Sequence, residues 1–240
     1  MTPPSGTSGA VRDAALVAGT GILAMAPLAV FANFGVLENL VTEGDAARTA
    51  QDIRASEVLF RLGAVALLLV AVLDVVVAWA LRVFFQPAHK DIATLAAWFR
   101  LAYAAVLLVA VTQLIGALPP AKDAGPLGAY RADQLNTEAL MRIDAFHDIW
   151  DAGLIFFGVH LLLLGFLAFR SGYVPRVLGL LVALAGLGYL VDSLGAFLSS
   201  GYSAEAAVFT GVGELILMIW LLTKGRNIGS QLPIQAEAAP

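Results

Sequence analysis

Ionisable residues interrupt stretches of this chain that are otherwise apolar: Arg61, Asp74, Arg100, Asp151, His160, Asp192 and Glu214. Each is expensive in an apolar medium, so it faces the interior of a bundle or a wet cavity and marks a site by default. His160, Asp192 and Glu214 have few basic residues to neutralise them. Carboxyl groups and an imidazole converging in a dry pocket suit proton transfer. This triplet is therefore expected to be catalytic, with Asp192 or Glu214 as general acid and His160 as its partner or base.

Depths follow from the helical rise. At about 1.5 Å per residue, Asp192 and Glu214 fall about 10 Å below the outer ends of their spans, His160 about 16 Å and Gln113 about 7 Å. They outline an outward-opening polar pocket, floored near His160 and walled by the aromatic surfaces of Tyr189 and Trp150. Glu57 precedes Arg61 by one helical turn, so the two can pair at the mouth and, with Gln113, meet a substrate there. Asp74 and Arg100 fall about 10 Å from the cytoplasmic ends of their spans. They are expected to form a structural ion pair that neutralises both charges and fixes helix register.

Asp144, His147 and Asp151 follow an i, i+3, i+7 spacing that places them on one helical face. They are weak metal candidates, weighed against a solvated interfacial face. A helix turns about 100° per residue, so His160 lies roughly opposite Asp151 and cannot complete the same set. No firm metal and no cofactor is expected. Haem would need His147 and His160, which fall on different faces. Cysteine is absent, which excludes disulfides, thiolate metal sites and iron–sulfur clusters. Phosphate-loop, dinucleotide and zinc-protease signatures are absent too. The glycine-rich stretches at 179–188 and 225–227 lack the strand–turn–helix setting that phosphate binding needs. Gly179, Gly186 and Gly188 read instead as close helix packing.

The elements that carry these residues are membrane helices. Of the 240 residues, 60% are apolar and 13% charged, with long apolar runs along the whole length. A bilayer core accepts only helices or closed barrels, and runs this uniform are helical. The expected fold is all-α, a polytopic bundle of six transmembrane helices at about 14–37, 58–81, 92–118, 149–169, 174–198 and 206–223. Residues 1–13 and 224–240 are expected to be cytoplasmic tails, disordered over 1–10 and 229–240. Ala24-Met25-Ala26 mimics a signal-peptidase site, but Pro27 follows it directly, so the first span is read as retained and kinked there. Residues 130–147 are amphipathic and are expected to form a separate short helix at the outer surface. Basic residues at Arg12, Arg82, Lys90, Arg170, Arg176, Lys224 and Arg226 put both chain ends in the cytoplasm.

Several local motifs are distinctive together. They are Ser56-Glu57-Val58-Leu59-Phe60-Arg61-Leu62-Gly63, Phe156-Phe157-Gly158-Val159-His160-Leu161 through Leu164-Gly165, Arg170-Ser171-Gly172-Tyr173-Val174-Pro175-Arg176, Gly188-Tyr189-Leu190-Val191-Asp192-Ser193, and Gly213-Glu214. From about Val11 to Arg226 the chain resembles the six-helix bacterial membrane proteins grouped as domain of unknown function 4386. The resemblance implies helical membrane architecture and a prokaryotic origin, and brings no activity with it; the expected location is the bacterial inner membrane. Three functional classes follow from the residues. The first is an acid/base enzyme on a lipophilic substrate, for example an isoprenoid cyclase or isomerase whose aromatic walls shelter a cationic intermediate. The second is a proton-coupled transporter or binder of a small hydrophobic solute, with homo-oligomerisation supplying a pathway that six spans alone lack. The third is a structural or accessory subunit. The expected partners are membrane lipid and a lipophilic small molecule, with no nucleic acid.

Overall fold

The computed structural model describes residues 6–121, 131–199 and 212–230. Regular structure among them is entirely helical. Helix α1 (Gly6–Val30) runs through Pro27 into a π-helix at Phe31–Leu37 and a last turn, α2 (Glu38–Leu40). A short α3 (Ala46–Ala55) follows, capped by the Asp45 side chain, which accepts from the Arg48 amide at 2.9 Å. Then come α4 (Glu57–Phe85), α5 (Lys90–Ala121), α6 (Ala132–Arg170), α7 (Arg176–Leu198), α8 (Val212–Thr223) and a 3-10 segment, Gly225–Ser230.

Five helices are long and apolar enough to cross a membrane: Gly9–Leu40, Glu57–Phe85, Lys90–Ala121, Ala132–Arg170 and Arg176–Leu198. Val212–Thr223 is a shorter apolar helix. The protein is thus a polytopic, all-α membrane-spanning protein. The first part of the expected sixth span, 206–211, lies outside the described residues, as do 1–5, 122–130, 200–205 and 231–240.

Two expectations fail at helix starts. The amphipathic stretch is no separate helix, because α6 runs unbroken from Ala132 to Arg170. Leu135, Ala139, Ile143 and Phe146 are all buried, at helical spacing, and no Gly or Pro interrupts the chain between Ala132 and Ala152. Nor are residues 6–13 a disordered tail. They are the first turns of α1, which buried Val11, Ala14, Ala15 and Ala18 anchor.

Outer and inner faces are sorted by size. On α7 Val177, Leu180, Leu184, Leu187, Val191, Leu194 and Leu198 form an exposed stripe at alternating spacings of three and four, and Phe197 is exposed beside it. The buried face carries Gly179, Val182, Ala185, Gly186, Gly188 and Ser193. In a membrane large apolar side chains gain nothing by leaving lipid, whereas small ones let backbones touch, so helices pair through their small faces.

The described chain forms two compact units. The first draws on residues up to Ala24, on Leu73–Tyr103 and on the chain from Leu154 onward. Within it α6 and α7 meet backbone to backbone. A Cβ on Gly165 would lie 2.6 Å from the Gly179 carbonyl oxygen, and one on Gly186 would lie 2.6 Å from that of Gly158. The turn joining these helices passes through Gly172 at φ 74°, where other residues are strained.

The second unit is Met25–Val72 with Ala104–Gly153. Its π-helix turns are satisfied by side chains: Asn33 donates to the Ala29 carbonyl at 2.9 Å and Asn39 to that of Phe34 at 2.7 Å. Arg54 donates to the Ala121 carbonyl at 2.7 Å, tying α3 to the end of α5.

Candidate site: a buried arginine cluster at mid-membrane depth

In the first unit, at about 1.5 Å per residue, Asp74, Arg100 and His160 each lie about 15 Å from the helix ends at Phe85, Lys90 and Arg170. That is half the thickness of a hydrocarbon core of about 30 Å. The three side chains meet there. Arg100 Nη2 is 2.6 Å from Asp74 Oδ1, and both side chains are buried. The approach is close but off the line of a well-aligned hydrogen bond, so the attraction is chiefly ionic. The second carboxylate oxygen, Oδ2, has no donor among the described residues.

Arg100 also holds His160. Its Nη1 lies 3.3 Å from His160 Nε2, while His160 Nδ1 lies 2.8 Å from the Ala96 carbonyl oxygen. A guanidinium only donates and a carbonyl only accepts. Nδ1 therefore carries the proton, Nε2 offers its lone pair, and the imidazole is neutral. The Ala96 carbonyl lies one turn before Arg100 on the same helix, so α5 grips both ring nitrogens of a residue on α6.

An aromatic shell surrounds the guanidinium. Arg100 Cζ sits 5.2 Å from the centre of the Phe157 ring. Phe157 in turn meets Tyr103 at 4.8 Å and Tyr189 at 5.2 Å between ring centres. The Tyr189 hydroxyl is hydrogen-bonded to the Glu214 carboxyl, which experiences Arg100 as an attractive charge and Asp74 as a repulsive one. Five helices, α4 to α8, thus each contribute a polar residue: Asp74, Arg100, His160, Tyr189 and Glu214. Two carboxyl groups face one guanidinium, so the cluster is electrically neutral only when it also holds a proton.

The structure regroups the residues expected from sequence. His160 was placed on the floor of an outward pocket, apart from Asp74 and Arg100; instead it is bonded to Arg100. Depth along a single span does not decide which neighbour a mid-span residue meets. A residue near the middle is as far from either end, and the long arginine side chain closes the few ångströms between levels. Asp192 stands half-buried on α7, three residues after Tyr189. Sequence reasoning missed Tyr103, Phe157 and the Ala96 carbonyl. The signal for the rings was present, since Tyr103 follows Arg100 by three and Phe157 precedes His160 by three, which is one helical turn in each case.

The remaining candidates belong to the second unit. Arg61 and Glu57 pair at 2.8 Å at the start of α4. Gln113 is half-buried on α5, and Trp150 packs on Phe146 with ring centres 5.4 Å apart. Asp144 and His147 line a cavity of about 420 Å³ with Asn33, Glu38 and Glu43. Asp151 is not among its lining residues, and among the described residues no three His, Cys, Asp or Glu side chains are grouped so as to hold a metal ion.

The family described as "Domain of unknown function (DUF4386)" matches residues 17–225. The chain belongs to this family. The match contains every member of the arginine cluster. Another protein similar to this chain is an "Uncharacterized protein" of Archaeoglobus fulgidus, 38% identical over 167 residues that cover 68% of this chain and 84% of the relative. No solved structure matches.

Proposed function

We propose that this DUF4386 protein is a proton-coupled carrier of a small hydrophobic solute, with the Asp74–Arg100–His160 and Tyr189–Glu214 groups as its proton-binding centre. The observation that carries this reading is the charge count: one buried guanidinium against two carboxyl groups, Asp74 buried and Glu214 half-buried, among five helices. Gain or loss of the proton changes the net charge of the cluster by one unit where charge is costly. Protonation must therefore be linked to rearrangement of the helices or to a bound solute. Asp192, about 9 Å from the Leu198 end of α7, supplies a route from the outer face.

The test needs no knowledge of the solute. Proteoliposomes on a solid-supported electrode are given pH steps, and the charge displaced is recorded. Wild type displaces charge with each step, whereas Glu214→Gln, a permanently neutral isostere, displaces at least several-fold less while remaining folded. Equal signals from both proteins would end the proposal.

The aromatic shell of Tyr103, Phe157 and Tyr189 favours a second reading, an acid/base enzyme acting on a lipophilic, isoprenoid-like substrate. Its discriminating observation is a membrane small-molecule profile that changes when Asp192 and Glu214 are both replaced by their amides. For location, the supported reading is a bacterial inner membrane with both termini cytoplasmic, because Arg82, Lys90, Arg170, Arg176, Lys224 and Arg226 gather at one set of helix ends. The chain has no cysteine, so single cysteines introduced at Lys90 and Asp45 report sidedness cleanly. Labelling of the Lys90 site from the periplasm contradicts this orientation.

A further inference from the structure

Another place in the first unit has the makings of a binding site. Between the turn at 171–175 and the end of α8 lies a cavity of about 430 Å³, bounded by Tyr173, Val174, Pro175, Trp220, Lys224 and Asn227. That volume is in the range of small-molecule sites. Its wall is firmly held. The Tyr173 hydroxyl donates to the Phe84 carbonyl at 2.9 Å, one of the orphan acceptors at the end of α4. The Tyr173 ring meets Phe84 edge-on at 5.6 Å, and Phe84 meets Trp220 at 6.2 Å. Burial pushes the Tyr173 hydroxyl above its ordinary range, so it stays protonated and keeps donating.

The charge on the cavity lining has one sign. Lys224 is the single charged residue on the cavity lining, exposed, and no carboxylate pairs with it among the described residues. Arg170 and Arg176 lie over the exposed rings of Phe166 and Phe169 at 6.0 and 5.7 Å, without an acidic partner among the described residues. Cations resting on rings at the ends of apolar helices mark the headgroup level of a bilayer, where anionic lipid attracts them.

The geometry points to a site for the phosphate-bearing head of an anionic phospholipid, with Lys224 as counter-ion and the Trp220 and Tyr173 rings against the glycerol end of the lipid. The apolar and aromatic wall is what selects a lipid over free phosphate, which would need several donors and no hydrocarbon surface.

Native mass spectrometry tests it on the full chain, released from detergent with phosphatidylglycerol or phosphatidylcholine added. Phosphatidylglycerol is expected to stay bound to wild type and phosphatidylcholine to leave. Lys224→Ala should lower phosphatidylglycerol occupancy about fivefold, the equivalent of about 1 kcal/mol per basic residue near an anionic surface. Lys224→Arg should retain it, and Arg48→Ala, in the second unit, should leave it unchanged. Equal occupancy in wild type and Lys224→Ala overturns the proposal, as does equal retention of the two lipids. Displacement of phosphatidylglycerol by millimolar inorganic phosphate, but not by chloride at matched ionic strength, would reassign the site to free phosphate. Because Lys224 is exposed, the variant is expected to fold, and unchanged thermal unfolding is the control.

Discussion

Replacing Asp74 by leucine takes its paired carboxylate from a guanidinium in the middle of the first unit. Arg100 is 2% exposed, and the contacts it keeps include the His160 lone pair at 3.3 Å and the face of Phe157. Breaking a buried pair from one side costs about 3–5 kcal/mol. For a chain of this size each kcal/mol moves Tm by about 2–4 °C, so the expected fall is roughly 6–20 °C. Any swing of the Glu214 carboxyl towards Arg100 brings the fall to the lower figure. The companion variant Asp74→Leu/Arg100→Leu removes both charges. An isolated ion pair replaced in this way returns to wild-type stability or beyond. Here Arg100 also donates to His160, and its loss leaves Nε2 a buried acceptor without a donor, at a cost of about 1–3 kcal/mol. The double variant should therefore recover much of the loss and stop about 2–12 °C short of wild type. Thermal unfolding by circular dichroism in one fixed detergent measures all three proteins. A fall under 2 °C for Asp74→Leu, or full recovery in the double variant, refutes the reasoning that these residues act as a cluster.

Other substitutions discriminate rigid from yielding contacts. Gly179→Ala puts a Cβ 2.7 Å from the Phe169 amide nitrogen and 2.8 Å from the Gly165 carbonyl, neither of which can turn aside, so it should cost about 1–3 kcal/mol. Gly19→Ala meets mainly the Leu222 side chain, which can rotate, and the gain in helix propensity of about 1 kcal/mol brings the net change in Tm close to zero. Tyr173→Phe removes the bond to the Phe84 carbonyl and should cost about 0.5–1.5 kcal/mol by the same assay. Arg61→Ala breaks a largely exposed pair with Glu57 and should change stability by under about 1 kcal/mol.

Much of the architecture is legible in the chain because lipid imposes a simple rule. An apolar run long enough to cross must be a helix, and Asp74, Arg100, His160 and Glu214 stand out against it. Helix ends are less legible, since they depend on what the flanking residues pack against. The stretch before Ile149 is polar enough to look extramembrane, yet buried Leu135, Ala139 and Ile143 carry α6 through it. Depth alone brings Asp74 and Arg100 to one level, because each lies a similar distance from the same set of helix ends. His160 lies near the middle of its span, and nothing in that span records which neighbour it faces. The π-helix at Phe31–Leu37 left no trace either, as a wide turn keeps the same apolar composition as a regular one.

The contact between α6 and α7 restricts how this protein can move. Where the helices meet at Gly158, Gly165, Gly179 and Gly186, backbone atoms make most of the closest contacts, with Leu190, Ala183 and Leu161 packed beside them, and separating the helices would open a void along two turns. The pair is a stiff unit that carries His160 on α6 and Tyr189 on α7. Under the proposed carrier reading, a cycle in this unit would shift α4, α5 and α8 against that pair, moving Asp74, Arg100 and Glu214 relative to it. Cross-linking α6 to α7 should leave such a cycle running, while tethering α5 to α6 should stall it.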